Sequence, residues 1–266
     1  MPSPSPSPLP TFVLLPGSLC DGRIWQGAGD MIRRVCGVRV VEADLTRDGI
    51  IAGMAARALS AATGLLVPIG FSMGGNVALE MARQAPERIT AIALIDVNPA
   101  ADLPARAAIR LDDQAQVRNG QLSDVLERVI HGCFAHDTPP AAHLRSLVRE
   151  MADGLGPDVF LRQSEALRLR ADCRAVVASF DGQMLLVCGA DDQLCSPVIH
   201  RAMAQDARNA TLRVIEGAGH MLPLEQPERL GAALCAWIDE AVLRPAGKAG
   251  GGRPAGNGFE GGRIAC

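Results

Sequence analysis

No apolar stretch in this sequence reaches the length of a membrane-spanning helix, and no long run of basic residues occurs in it. The formal net charge is −3 at neutral pH, and charged residues make up 21% of the chain. A protein that binds nucleic acid or an anionic membrane usually carries a cluster of lysine and arginine residues. We therefore expect neither nucleic acid nor a membrane as a partner.

Residues 1–10 lack both the basic and the apolar segments of a signal peptide, and they consist mostly of proline and serine. We expect this segment to be a disordered tail. The eight cysteines lack the paired spacings of a metal site. In a long chain without an export signal, reduced thiols are more typical than a disulfide framework, so we expect a cytoplasmic protein without a bound metal.

The 266 residues suit one α/β domain with an elaboration, and the hydrophobic content of 48% can supply a large core. Apolar, β-rich runs alternate with helical patterns over residues 11–99 and again over 181–243. Residues 100–180 break this alternation, because they show helical patterns and no strand signal. We interpret them as a helical cap over the carboxyl edge of the sheet. Residues 244–266 are rich in glycine, which predicts a second disordered tail.

The alternation of strands and helices in the two core segments implies parallel pairing in a doubly wound sheet. The predicted strands are 11–15, 38–41, 65–69, 89–95, 184–188 and 211–215. The predicted core helices are 21–35, 48–63, 73–84, 197–207 and 227–243. The predicted cap helices are about 103–118, 121–134, 139–153 and 157–170.

The sequence Gly70-Phe71-Ser72-Met73-Gly74 separates an apolar run from a helical pattern. A strand that turns sharply into a helix places the central serine at the tip of the turn, in a strained conformation. Glycines on both sides let the strand and the helix approach closely around that tip. The unpaired amides at the start of the helix point at the same place. The pattern therefore favours Ser72 as a nucleophile over a simple helix-capping serine.

A serine hydroxyl needs a base to remove its proton, and the base needs an acid that orients it and stabilises its charge. His220 is the candidate base, because it follows a predicted strand and should lie at the same sheet edge as Ser72. Asp191 and Asp192 follow one predicted strand and Asp96 follows another, so all three are candidate acids. The order serine, acid, histidine is typical of nucleophile-elbow hydrolases. Asp192 satisfies this order, and Asp96 satisfies it equally.

The other four histidines lie elsewhere in the chain. His131, His136 and His143 fall in the cap region, and His200 falls on a predicted helix. We interpret them as solvated or packed side chains, with a cap histidine as a candidate for contact with substrate.

These motifs resemble those of the α/β-hydrolase superfamily over roughly residues 11–243, with the weakest match across the cap. The small-esterase branch, which includes pimeloyl-carrier-protein methyl esterases and enol-lactonases, is the most similar. Three groups of residues carry the resemblance: Leu14-Leu15-Pro16-Gly17-Ser18 with Trp25; Gly70-Phe71-Ser72-Met73-Gly74-Gly75; and Gly189-Ala190-Asp191-Asp192 with Gly217-Ala218-Gly219-His220 and Glu225-Gln226-Pro227-Glu228.

The resemblance implies an α/β-hydrolase fold in which Asp192 is the acid and His220 the base of a catalytic triad. The family usually has two strands before the strand that corresponds to the first one here. Only the proline-rich residues 1–10 precede that strand in this sequence. We therefore expect a mostly parallel sheet shortened to about six strands, with a helical cap.

The resemblance also implies an oxyanion hole formed by two backbone amides. Met73, directly after the nucleophile, would give the first amide, and Ser18 would give the second. Where the family has a histidine that braces this loop, the sequence has Pro16, whose side chain cannot form the same hydrogen bonds. Leu19 therefore stays open as an alternative second donor.

Together these residues predict a serine hydrolase that cleaves a carboxylic ester through an acyl-enzyme, with no metal or organic cofactor. Its partner would be a small-molecule ester or lactone. Enol-lactonases, C–C bond hydrolases, perhydrolases and lyases use the same fold and triad, so these activities stay open as alternatives. From a different functional class, a ligand-binding protein that keeps the hydrolase residues without turnover is also open.

Overall fold

A computed structural model describes residues 9–135 and 142–243 of the chain. Its strands are β1 (Thr11–Leu15), β2 (Val40–Glu42), β3 (Leu66–Phe71), β4 (Ala91–Ile95), β5 (Gln183–Gly189) and β6 (Ala210–Ile215). They form one sheet in the order β2-β1-β3-β4-β5-β6, and every neighbouring pair is parallel. The prediction of a parallel sheet of about six strands is confirmed. Residues 1–8 and 244–266 of the two predicted tails lie outside the described residues.

The helices are α1 (Gln26–Met31), α2 (Ile51–Ser60), α3 (Met73–Gln84), α4 (Pro104–Arg118), α5 (Leu122–His131), α6 (Ala142–Arg168), α7 (Arg174–Ser179), α8 (Pro197–Asp206), α9 (Leu222–Glu225) and α10 (Pro227–Trp237). A π-helical turn, Ile238–Leu243, follows α10. Among these described elements, none of the helices combines the length and the apolar content that a membrane crossing needs.

Every residue of β1, β3 and β4 is buried, because helices cover both faces of the sheet. Side chains alternate between the faces along each strand. Phe12 and Leu14 of β1 therefore belong to the core on one face, together with residues of α1 and α10. Val13 and Leu15 belong to the core on the opposite face, together with residues of α2 and α3. Two apolar layers thus fix the carboxyl ends of the central strands.

The chain leaves the sheet after β4 and returns to it at β5 through α4, α5, α6 and α7. The two ends of this excursion meet, because the amide of Cys173 donates a hydrogen bond to the carbonyl of Pro99 at 2.8 Å. Within α6 the helix breaks at Gly156, which has φ 79°, and Pro157 follows the break. The sequence predicts two separate helices at this point. Residues 136–141, at the predicted start of the third cap helix, lie outside the described residues.

Several predicted boundaries differ from the structure by a few residues, and for the helix that follows β2 the physical reason is clear. The helix predicted over 48–63 begins at Ile51, and no side chain caps it. Asp48, at the predicted start of the helix, has a side chain that could cap it. Its Oδ2 instead accepts a hydrogen bond from Nε of Arg57 at 2.7 Å. The carboxylate that would cap the first turn is therefore used to tie the loop to the helix surface.

Candidate active site

The turn from β3 into α3 holds Ser72 in a conformation that side chains rarely adopt, with φ 51° and ψ −116°. The glycines on either side make this turn possible. A Cβ on Gly70 would lie 2.4 Å from the carbonyl oxygen of Gly74, and a Cβ on Gly74 would lie 2.1 Å from that of Leu15. Both contacts are to backbone, which cannot yield as a flexible side chain can. Strand and helix therefore cross at van der Waals distance behind the serine.

The imidazole of His220 lies between the serine hydroxyl and a carboxylate. Its Nε2 is 2.9 Å from Oγ of Ser72, and its Nδ1 is 2.8 Å from Oδ2 of Asp192. Glu225 holds the loop that carries the histidine, because its Oε1 accepts from the amide of Gly219 at 2.9 Å. Three groups that are far apart in the sequence are thus within hydrogen-bonding distance at one edge of the sheet.

Asp192 is almost fully buried, and its second oxygen is also occupied. Oδ1 accepts from the amides of Leu194 at 2.7 Å and Cys195 at 2.9 Å. Burial opposes ionisation of this carboxyl, but the charge of His220 and the hydrogen bonds outweigh burial and lower its pKa. The site therefore holds Asp192 as a carboxylate facing Nδ1 of the imidazole.

The other two candidate acids do not contact His220 in the described structure. Asp96 is fully buried, its Oδ1 accepts from the amide of Gly189 at 2.9 Å, and its Oδ2 has no donor among the described residues. Burial first, and then the charge of Asp192, raise the pKa of Asp96 well above its usual range. Asp191 uses its amide to bond the carbonyl of Ala218. Geometry therefore separates Asp192 from Asp96, which chain order alone does not.

The candidate oxyanion residues line one cavity with the serine. As the first residue of α3, Met73 has an amide without an intrahelical acceptor. Ser18 follows Gly17, where a Cβ would lie 3.5 Å from Cβ of Ser72. The amide of Leu19 already donates to Oε1 of Gln163 at 2.8 Å. Of the two amides in this loop that the sequence leaves open, that of Leu19 is therefore engaged by a side chain of α6.

Sequence reasoning misses Gln163. Its Oε1 also accepts from Oγ of Ser18 at 3.3 Å, and its Nε2 donates to the carbonyl of Leu45 at 3.1 Å. The side chain is 1% exposed, so these bonds are shielded from water. Gln163 therefore braces the loop that Pro16 cannot brace. No local pattern around residue 163 signals this role.

The histidines outside the site differ in their surroundings. His131 ends α5 and His143 lies at the start of α6, whereas His136 is outside the described residues. His200 is fully buried, and its Nε2 accepts from the amide of Val97 at 3.1 Å. Nδ1 therefore carries the proton and donates to the carbonyl of Ser196 at 3.2 Å. Burial lowers the pKa of His200 from 6.5 to about 4, so it is a neutral, packed side chain.

Asp192, Cys195 and His220 also lie close enough to one another to suggest metal ligands. The chemistry of the donors does not favour an ion there. Both ring nitrogens of His220 are already engaged in hydrogen bonds. A thiol must ionise to bind a metal, and burial raises the pKa of Cys195 well above its usual range.

A cavity of about 550 Å³ lies above Ser72 and His220. This volume is typical of sites for small molecules. Helices α4, α5 and α6 contribute to its lining, and most of the side chains from α5 and α6 are apolar. They include Leu126, Val129, Ile130, Val148, Phe160 and Leu167.

The model of the Alpha/beta hydrolase family matches residues 12–233. The chain is 28% identical over 183 residues to a pimeloyl-[acyl-carrier protein] methyl ester esterase of Xanthomonas campestris pv. campestris, and the match covers 66% of this chain and 72% of that protein.

A second relative is the biotin biosynthesis bifunctional protein BioHC of Cellvibrio japonicus, 24% identical over 252 residues. That match covers 85% of this chain and 47% of BioHC, so the chain spans about half the length of this relative. Among solved structures, a thermophilic esterase from Thermogutta terrifontis superposes with a TM-score of 0.80 at 23% identity. The superposition covers 89% of this chain and 91% of the other, and it shows a shared fold.

Proposed function

Because this chain belongs to the alpha/beta hydrolase family, we propose that it is a serine hydrolase that cleaves the carboxylic ester of a small substrate through an acyl-enzyme. The observation that carries the proposal is the position of His220 between Ser72 and Asp192, at 2.9 and 2.8 Å. The esterase relative and the superposed esterase support ester hydrolysis as the reaction. A small-molecule ester or lactone is the substrate class that this activity implies.

In the first half of the proposed reaction, Oγ of Ser72 attacks the carbonyl carbon, and its proton passes to Nε2 of His220. Asp192 stabilises the imidazolium that forms and holds the ring through Nδ1. The carbonyl oxygen becomes an oxyanion. When the tetrahedral intermediate collapses, the ester C–O bond breaks, and the alcohol leaves with the proton from Nε2.

We assign the oxyanion to the amides of Met73 and Ser18. The free position of Met73 at the start of α3 supports the first, and the engagement of Leu19 by Gln163 favours Ser18 over Leu19 for the second. Each donor of this kind is typically worth about 3–4 kcal/mol of transition-state stabilisation.

In the second half, a water molecule gives a proton to His220 and attacks the acyl carbon. The bond to Oγ of Ser72 breaks, and Oγ takes the proton back. The net reaction consumes one water and releases an acid and an alcohol. In this proposed reaction, His220 takes part in every proton transfer, with Ser72, the leaving alcohol and water as its partners.

The test compares the wild-type protein with Ser72→Ala and, as a matched control, Ser60→Ala. Ser60 is exposed at the end of α2 and does not line the cavity above Ser72. We expect Ser72→Ala to keep the fold, by circular dichroism, and to lose p-nitrophenyl acetate hydrolysis by roughly a thousandfold or more. Ser60→Ala should retain the wild-type rate.

A fluorophosphonate probe separates catalysis from simple ligand binding. Labelling at Ser72, found by peptide mass spectrometry, indicates an activated nucleophile. An unlabelled wild-type protein, or a Ser72→Ala variant with unchanged activity, would refute the proposed mechanism. Parallel assays with short esters and with lactones of equal carbon number would then identify the class of substrate.

A further inference from the structure

The cavity above Ser72 has unequal charges in its lining. Arg110 and Arg170 share the single carboxylate of Asp102, and each N···O distance is 2.9 Å. The side chains of Arg170 and Asp102 are 8% and 3% exposed, so solvent screens the cluster weakly. Two guanidiniums against one carboxylate leave a positive charge at the cavity wall.

A second carboxylate at this cavity does not cancel that charge. Asp113 lines the cavity, but its Oδ1 is 3.0 Å from Nη2 of Arg128, which lies outside the lining. This ion pair is electrically balanced by itself. The positive charge of the cluster formed by Asp102, Arg110 and Arg170 therefore stays uncompensated.

Arg106 adds a further positive charge. It lies one turn before Arg110 on α4, it lines the same cavity, and it forms no ion pair within residues 9–135 and 142–243. Burial lowers the pKa of Arg110, and repulsion by Arg170 and Arg106 adds to that effect. The guanidiniums thus repel one another across the wall, and an anion placed among them would relieve this repulsion.

The remainder of the cavity suits an apolar chain, because its other cap side chains are mostly hydrophobic. Residues of α4 line the same cavity as Ser72, so an ester with its carbonyl at Ser72 can direct the rest of its chain to α4. A guanidinium presents a planar pair of donors that matches a carboxylate. Asp102 and Asp113 at the same wall disfavour a doubly charged phosphate.

Building on the proposed esterase function, we propose that Arg106 binds a carboxylate of the substrate, and that the substrate is an ester with an apolar chain ending in that carboxylate. Hydrolysis of such a half-ester consumes one water and releases a dicarboxylate and an alcohol. Arg106 is then a specificity-determining residue that contacts the far end of the chain.

The test measures kcat/KM for monomethyl adipate and for methyl hexanoate, which have six-carbon acyl chains and differ in the terminal carboxylate. We expect the wild-type protein to prefer the anionic ester by roughly tenfold or more, as a charged hydrogen bond would give. Arg106→Gln should abolish this preference by lowering kcat/KM for monomethyl adipate. Arg106→Lys should keep part of the preference, and added salt should weaken it.

Arg118→Gln is the matched control, because Arg118 ends the same helix and does not line the cavity. It should leave the preference unchanged. Equal kcat/KM for the two esters in the wild-type protein would overturn the inference, and so would a preference that survives in Arg106→Gln. Both results are distinct from failure of the proposed function, in which neither ester nor p-nitrophenyl acetate is hydrolysed.

Discussion

The amide of Gly189 donates a hydrogen bond to Oδ1 of Asp96 across 2.9 Å, and this bond ties the end of β5 to the residue that follows β4. Asp96 has φ 50°, an unusual value for a residue other than glycine. Its own amide donates to the carbonyl of Val187 at 3.0 Å. We call this bond between Gly189 and Asp96 the clamp. The carbonyl of Gly189 also accepts from the amide of Asp192 at 3.3 Å, so the clamp is linked to the loop that carries the candidate acid.

Asp96→Asn should preserve this clamp, because an amide oxygen can accept from Gly189 and the amide nitrogen can donate toward Asp192. We expect near-wild-type hydrolysis of p-nitrophenyl acetate from Asp96→Asn. Asp96→Ala should lose about 1–3 kcal/mol of stability, because it leaves the amide of Gly189 buried and unpaired. Urea melts and initial rates measure the two effects. Equal stability of the Ala variant and the wild type would contradict this account.

The difference in stability between Asp96→Asn and the wild type should depend on pH in a defined direction. The fold raises the pKa of Asp96, so the folded state resists ionisation of this group. Its contribution to stability is complete below the unfolded pKa of about 4, and it is lost as pH rises through the folded value. The asparagine of Asp96→Asn does not ionise, so this variant does not lose stability in this way as the pH rises. Its stability relative to the wild type should therefore increase between pH 4 and pH 8 in urea melts.

His200 should make the protein sensitive to acid. Its folded pKa of about 4 lies below the ordinary 6.5, so the unfolded chain binds the proton first. Stability should fall as pH drops from 6.5 to about 4, by roughly 3 kcal/mol in total. In a variant without this titration, such as His200→Gln, thermal melts should show a smaller loss over that range. An identical pH profile for both proteins would be inconsistent with a buried neutral imidazole.

Gln163→Leu should lower kcat rather than raise KM, because the glutamine holds the loop that bears Ser18 and Leu19. We expect a loss of roughly tenfold in kcat, since a misplaced oxyanion donor costs up to 10²–10³. Gln116→Leu, at a half-buried position of α4 that does not line the cavity, is a control that should keep wild-type kinetics. A pure KM effect in Gln163→Leu would show that the loop's position does not affect the chemical step.

The packing of α3 can be tested by a compensating pair. A Cβ on Gly75 would lie 2.1 Å from Cγ2 and 3.0 Å from Cγ1 of Val97. Gly75→Ala should destabilise the protein by at least about 1–3 kcal/mol. Val97→Ala removes both methyl groups, so in a double-mutant cycle the pair should show a favourable coupling energy. Gly74→Ala cannot be compensated by a smaller side chain, because its Cβ would meet the backbone of Leu15. Additive effects at 75 and 97 would refute the contact.

Much of the sheet could be predicted because its central strands carry long apolar runs. Strand β1 matches its prediction residue for residue, since it is buried on both faces and ends at Pro16. Helix ends were less predictable. Asp48 has the chemistry of a cap, but Arg57, nine residues later, binds it instead. A local pattern does not contain that tertiary competitor.

Within the site, short motifs located Ser72 and His220, because sharp turns after strands require glycine at fixed positions. The choice between Asp96 and Asp192 could not be made from order, since both follow strands that end at the same edge. The sequence could not predict which side chains of α4 and α6 reach the site, because these helices are distant from Ser72 in the chain. Gln163 meets Leu19 across 144 residues, and nothing in the periodicity of α6 marks that side chain.

The backbone bond between Pro99 and Cys173 makes residues 100–172 a closed excursion whose two ends already touch. Strands β4 and β5 pair directly with each other, so their register does not depend on what the excursion contains. Residues 100–172 could therefore be replaced without changing how β4 and β5 pair. Replacing residues 100–172 between these two points should change which small molecules fit the cavity, while the pairing of the strands stays the same.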